Sequence, residues 1–398
     1  MPTTLKTILA HRSIQVLLML TFYLMTASFL PETTHQAFYT FSLFVKDLLL
    51  WMLPLTVCFF IAHAIASFEK KAPIFILSLF LFEALSNSSS VWYAYGCGHL
   101  AVSQLPSIEL HTLDSDFSSL WRLPFSRPSW WSAEKGTFAG ILLGLLAVFK
   151  TPSLRKVITK GKKAAESVLT RIFAKLIPLF LLGFIAKMYK TNLLSQLLTN
   201  YADLLLWLVL FLAFYIGFLF LLGSGFSYRI FLKSIKNLLP ATGVSFSSGC
   251  SLSTMPWTIE GTAKNLQNPH LAKAIIPATT NIQQIGDCIA NAFLCFLIYT
   301  HFNGYAPELS VWIPFSIIFV LARFATAAVL GGAIFVMLPI YESYLGFTPE
   351  MIAIILGFNV ILDPLITCSN VIANGALCRI FEKCWAFTLQ NTPTTEKL

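Results

Sequence analysis

Between residues 355 and 377 the sequence reads ILGFNVILDPLITCSNVIANGAL. The stretch is apolar enough to dissolve in lipid, yet it contains Asp363, Thr367 and the asparagines Asn359, Asn370 and Asn374. On an α-helix turning about 100° per residue, Asn359 lies about 40° to one side of Asp363 and Thr367 about 40° to the other. Asn370 and Asn374 fall between these limits, so the polar groups share an arc of about 80°. An ionisable residue inside an apolar span is costly and marks a substrate or ion pathway by default. Asp363 requires a cationic partner, and this stretch has no Lys or Arg. A substrate ammonium group would serve. The competing use for the threonine and asparagines is hydrogen bonding between packed membrane helices. Pro364 removes one backbone hydrogen bond and frees the carbonyl of Val360.

Such a stripe needs a membrane bundle to position it, and the composition supplies one. Of 398 residues, 56% are hydrophobic and only 11% are charged, too little polar surface for a soluble protein. The net charge of +9 could suggest a nucleic-acid partner, but the basic residues cluster in short segments between apolar runs. Lys and Arg accumulate in this way on the cytoplasmic side of a membrane protein. The eight cysteines form no CxxC pair and no zinc spacing, and the six in or beside apolar segments (Cys58, Cys250, Cys288, Cys295, Cys368 and Cys378) read as small hydrophobes. The first residues, MPTTLKTILAHR and an apolar run to Leu30, imitate a signal peptide. They lack a clear cleavage site and are expected to form a retained first helix.

Apolar runs of spanning length occur near residues 13–30, 39–68, 74–96, 136–149, 168–188, 202–226, 274–300 and 350–378, the fourth being short. Two further segments, about 237–262 and 312–347, are apolar but broken by Gly, Ser, Pro and Thr. Basic residues at 150–175 and at Arg229, Lys233 and Lys236 orient the chain with its N-terminus inside. That bias is consistent only if each broken segment enters and leaves on one face, as a re-entrant hairpin. The result is two inverted units, each a hairpin followed by a spanning helix, which points to a transport site near mid-membrane. The expected fold is therefore an all-α polytopic membrane protein of about eight transmembrane helices and two re-entrant helical hairpins.

Specific stretches carry a family resemblance. FLKSIKNLLPATGVSFSSGCSLSTMP (first hairpin), ATAAVLGGAI (second hairpin) and ILGFNVILDPLITCSNVIANG resemble the dicarboxylate/amino acid:cation symporter family, which includes the glutamate/aspartate transporters. LFVKDLLLWMLPLTVCFFIAHAIASF is similar to that family's second helix.

The resemblance implies that Asp363 meets a substrate amino group, with Thr367 and Asn370 as further substrate contacts and Asn370 facing the α-carboxylate. Ile366 occupies the place of an arginine that clamps the side-chain carboxylate in acidic-substrate members. Isoleucine cannot form a bidentate clamp, so a neutral side chain is expected. Ser251 and Ser253 correspond to the serine run of the first hairpin, with a hairpin cap as their alternative role.

For the coupling cation, Asn374 stands where the family has an aspartate. QQIGD aligns with the family's NMDGT, which places Gln283 in the site and Ile285 at the aspartate. Asp287 supplies a carboxylate two residues later, inward only if the helix is unwound there. Ser88 and Ser89, from SNSSS in the third helix, match hydroxyl ligands for sodium, with hydration near the outer end as the alternative. Asn370 completes the set. Glu83 is a further intramembrane acid without an assigned role.

These readings describe a secondary active symporter in the cell membrane, driven by sodium or protons, that carries a small neutral amino acid by alternating access. In a Gram-negative source that membrane is the inner one. Residues 1–230 form the scaffold with part of the transport domain, 231–384 the transport core, and 385–398 a cytoplasmic tail. Expected partners are the substrate, membrane lipids and two further copies in a homotrimer, with no nucleic acid and no cofactor beyond the ion. Acidic amino acids or C4 dicarboxylates are the alternative substrates, and a channel-like or non-transporting member the alternative activity. An enzyme is not expected, since the seven histidines lie singly and no GxSxG motif is present.

Overall fold

The computed structural model describes residues 12–66, 73–104, 117–124, 128, 131, 133–149, 152–168, 171–172, 174–190, 202–249, 251–280, 282–326 and 333–391. Among them all regular structure is helical. The helices are α1 (Arg12–Thr26), α2 (Glu32–Ala66), α3 (Pro73–Gln104), α4 (Ala133–Phe149), α5 (Pro152–Val168), α6 (Ala174–Lys190) and α7 (Ala202–Ser224). They continue as α8 (Tyr228–Ser248), α9 (Ser251–Ala263), α10 (Pro269–Thr279), α11 (Ile285–Asn303), α12 (Leu309–Thr326), α13 (Ala333–Leu345) and α14 (Pro349–Asn391). Residues 205–224, 285–303 and 361–386 are long and apolar enough to cross a membrane, and 309–324 and 349–359 form shorter apolar helices.

The chain divides into two compact units. The first comprises Met1–Ser67, Tyr95–Trp207 and Phe293–Ile361. Its centre is α2, against which α4, α5 and α6 pack. Lipid offers no hydrophobic force between helices, so close backbone approach is the main source of attraction. Gly136 and Gly140, four residues apart on α4, supply it. A Cβ on Gly140 would lie 2.6 Å from the Cys58 carbonyl oxygen, and one on Gly136 would overlap Pro54. The buried Lys187 of α6 is matched by a Glu350 ion pair and by the Tyr39 hydroxyl at 3.1 Å, which offsets the cost of burying its charge. In the same unit α12 and α13 pack on one another. Their connection, residues 327–332, lies outside the described residues, and with it most of ATAAVLGGAI.

The second unit comprises Phe68–Ala94, Leu208–Ala292 and Leu362–Leu398. Here α8 and α9 form an adjacent packed pair. Gly249 ends α8 at φ 56° in the left-handed region, where a residue without Cβ is favoured, and its N–H donates to the Ser245 carbonyl. Asn268 caps α10, and Pro269 follows at the first helical position, where its missing N–H costs nothing. Glu382 of α14 accepts from the backbone N–H groups of Gln267 and Asn268 at 3.0 and 2.7 Å, tying that turn to α14. Leu79, Leu266, Ala272, Ile275, Ile276, Cys378 and Phe381 form a buried apolar cluster beneath these polar ends.

The seventh apolar run, read from hydropathy as one span, is two helices. α10 ends at Thr279, α11 begins at Ile285, and the chain between them is not helical, with residue 281 outside the described part. The Thr279 carbonyl accepts from both Ile282 and Gln283 at 2.8 Å, closing a tight turn. By contrast, α14 runs unbroken through Pro364.

Candidate functional site

The polar residues of the second unit gather where α11 begins. Asp287 lies in the first turn of α11, where the helix dipole and unpaired N–H groups favour an acid. Asn370 of α14 clasps it. The Asn370 Nδ2 donates to Asp287 Oδ2 at 2.8 Å, and the Asp287 backbone N–H donates to Asn370 Oδ1 at 3.2 Å. Asn291, one turn on, donates to Asp287 Oδ1 at 3.3 Å. The clasp is possible because α11 meets α14 at Gly286. A Cβ there would lie 2.6 Å from the Ile366 carbonyl oxygen and 2.9 Å from Asn370 Oδ1.

Asp363 is half-buried and Thr367 is buried on α14, and neither makes a hydrogen bond or ion pair among the described residues. The Asp287 carboxylate lies near enough to that of Asp363 to repel it. Two acids thus lie together beside an amide clasp. Such a place attracts positive charge. Ile366 is buried beside them.

One turn further along α14, Asn374 Oδ1 accepts from the Thr279 hydroxyl at 2.8 Å. Gln283 is buried in the unwound segment, and both atoms of its amide lack a partner among the described residues. The segment itself is held by Asn87 of α3. Its Nδ2 donates to the Ile282 carbonyl at 3.0 Å, and its Oδ1 accepts from the Gln284 N–H at 3.2 Å. Irregular backbone at membrane depth needs such partners, because lipid supplies none.

The structure therefore brings Asp287 and Asn370 into one cluster with Asp363, and Asn374 to the end of α10. It does not bring every expected residue there. Ser89 is exposed and lies 2.8 Å from the Tyr215 hydroxyl of α7, while Ser88 is half-buried without a hydrogen bond. Ser251 opens α9 and makes no hydrogen bond among the described residues; the side chain of Ser253 lies outside the described part. Asn359 turns its amide onto the Ile355 carbonyl of its own helix at 2.8 Å.

Asn87, Thr279 and Asn291 were not among the residues expected from the sequence. For Asn87 a signal existed in the helical period. Glu83, Ser86, Asn87, Ser90, Val91 and Ala94 make one buried face of α3, while Leu85, Ser89 and Trp92 are exposed. Reading SNSSS by face rather than by hydroxyl content selects Asn87.

Acids and amides that converge on a broken apolar helix are a feature of transporter binding sites. Residues 137–384 match the sequence profile described as Sodium:dicarboxylate symporter family, and the chain belongs to that family. Cation-coupled symport is the activity of its class, and an integral membrane protein is its form. Among curated proteins, none matches the chain.

Proposed function

We propose that this chain is a secondary active transporter that couples inward movement of sodium or protons to uptake of a small amino acid with a neutral side chain, by alternating access. The observation that carries the reading is Asp363, half-buried and without a hydrogen bond or ion pair among the described residues, beside Thr367 and the Asn370 amide. An α-ammonium group satisfies that acid, and a C4 dicarboxylate would be repelled by it. Ile366 leaves no guanidinium to bind a second carboxylate. Asp287, Gln283, Asn370 and Asn374 offer oxygens for one coupling cation, with fewer carboxylates than a site for several sodium ions needs. In this proposal α8–α9 and α12–α13 are the re-entrant hairpins of an eight-span protein of the cell membrane, assembled as a homotrimer.

The word dicarboxylate in the family's description favours a second reading, uptake of acidic amino acids or C4 dicarboxylates. The test is a thermal-stability screen of the purified protein against the twenty amino acids and C4 dicarboxylates, followed by uptake and counterflow of the stabilising compounds in proteoliposomes. Stabilisation by neutral amino acids with saturable counterflow is expected. Stabilisation by aspartate or succinate alone would favour the second reading. Conduction without saturation, or binding without counterflow, would mean a channel-like or non-transporting member.

A further inference from the structure

Glu83 lies on the buried face of α3, 2% exposed, and its Oε2 has no hydrogen-bond partner among the described residues. It stands one turn beyond Leu79 of the apolar cluster and faces the Cys378 thiol of α14. Ser86, three residues on and on the same face, is also buried with an unpartnered hydroxyl. A second such hydroxyl, Thr262 of α9, sits against Gly375, one turn before Cys378 on α14.

Among the described residues the charged groups of the neighbouring elements are paired elsewhere or exposed, with Arg229, Lys233, Lys236 and Lys383 exposed. Arg379 donates to the Ser234 hydroxyl at 2.7 Å, and Glu382 accepts the backbone N–H groups of Gln267 and Asn268. Lys264 pairs with Glu260 at an exposed site, and His270 and Lys273 are exposed. On α11, Asp287 is held by Asn370 and Asn291. A carboxylate with neither counter-charge nor hydrogen bond is untenable in such surroundings, whereas the neutral acid costs far less.

We propose that Glu83 is the group that carries the coupling proton of this transporter. The acid holds its proton as COOH in the packing described above. It releases H⁺ to water when movement of the unit hydrates the α3 face, where Ser86 and the new carboxylate are then solvated. Nothing else changes covalently: one O–H bond forms on loading and the same bond breaks on release. This inference rests on the transport reading and names its driving ion.

The experiment uses the full chain in proteoliposomes, with labelled alanine as the neutral probe and labelled aspartate as the acidic one. An inward gradient of one pH unit supports at most about tenfold accumulation for each coupled proton, since about 1.4 kcal/mol corresponds to a factor of ten. The wild type is expected to approach that limit without sodium. Glu83→Gln is expected to accumulate nothing above equilibrium while still exchanging labelled for unlabelled substrate, because glutamine stands in for the protonated acid and cannot release a proton. Gradient-driven accumulation by Glu83→Gln equal to that of the wild type would overturn the proposal. If the variant does not fold, internal alkalinity or acidity reported by an entrapped pH dye in wild-type vesicles decides. Substrate-driven proton entry supports the proposal, and counterflow without any proton movement overturns it while leaving the transport reading intact. Absence of counterflow with either probe would instead remove the transport reading and this proposal with it.

Discussion

Asn87→Ala removes both hydrogen bonds that hold the unwound segment to α3. The donor to the Ile282 carbonyl and the acceptor of the Gln284 N–H vanish together, while the two backbone groups stay buried. If residues 282–284 relax onto new partners, the cost is that of two intramembrane hydrogen bonds at about 0.6 kcal/mol each, or about 1 kcal/mol. If they cannot, each orphaned group costs about 1–3 kcal/mol and the total is about 2–6 kcal/mol. A loss of at least about 1 kcal/mol is expected, reaching the higher range where the unpartnered Gln283 amide beside them, a spare donor and acceptor, does not turn to take over the two groups. Displacing this segment also shifts the first turn of α11, which carries Asp287, so ligand binding should weaken with stability.

Ser89→Ala is the matched control. It alters the same helix but deletes an exposed hydroxyl that donates to the Ser86 carbonyl and pairs with Tyr215, a change expected to cost about 1 kcal/mol. The assay is unfolding of purified protein in detergent, followed by tryptophan fluorescence, with alanine binding measured on the same samples. If Asn87→Ala were no less stable than Ser89→Ala and bound alanine as the wild type does, the argument for Asn87 as the anchor would be refuted.

Two other substitutions test the substrate reading. Asp363→Asn deletes the charge assigned to the ammonium group. Since a hydrogen bond to a charged group contributes about 1.5–3 kcal/mol, amino acid binding by isothermal calorimetry should weaken about 10- to 150-fold with folding preserved; unchanged affinity would remove amine recognition from Asp363. Ile366→Arg should lower uptake of neutral amino acids and admit aspartate, whose side chain could pair with the new guanidinium; continued preference for alanine in competition uptake would show that Ile366 does not line the side-chain pocket.

The stripe on α14 was legible because a regular helix converts spacing into direction, and this helix stays regular through Pro364. The partner of Asn370 was not legible in the same way. Asp287 stands two residues from the position that the family pattern gives to an acid. Only the approach of α11 to α14 at Gly286 brings that carboxylate to the amide. The break before α11 was hidden for a related reason. Hydropathy saw one apolar run, whereas the break depends on Asn87 to satisfy the freed backbone, a residue 195 positions away from Ile282 in sequence. Local period predicts faces, and it cannot predict which distant side chain will complete a broken backbone.

Asn370 also suggests how substrate and cation sense each other. An amide nitrogen has two hydrogens, and one is already directed at Asp287 Oδ2. The other remains for a substrate α-carboxylate, so one planar group would touch the amino acid and the cation-site acid together. On the proposed transport reading, the charge of Asp287 repels both that α-carboxylate and the carboxylate of Asp363, which already stands near it. If sodium rather than the Glu83 proton drives transport, a cation at Asp287 would remove the repulsion and draw electron density from the amide, strengthening its second N–H as a donor. Binding of the cation therefore favours binding of the zwitterion. Reciprocity then requires the substrate to raise cation affinity by the same factor. On the sodium branch of the proposed function, where Asn374 and Ile285 stand in place of two acids of the family pattern, coupling would rest on Asp287 sharing Asn370 with the substrate.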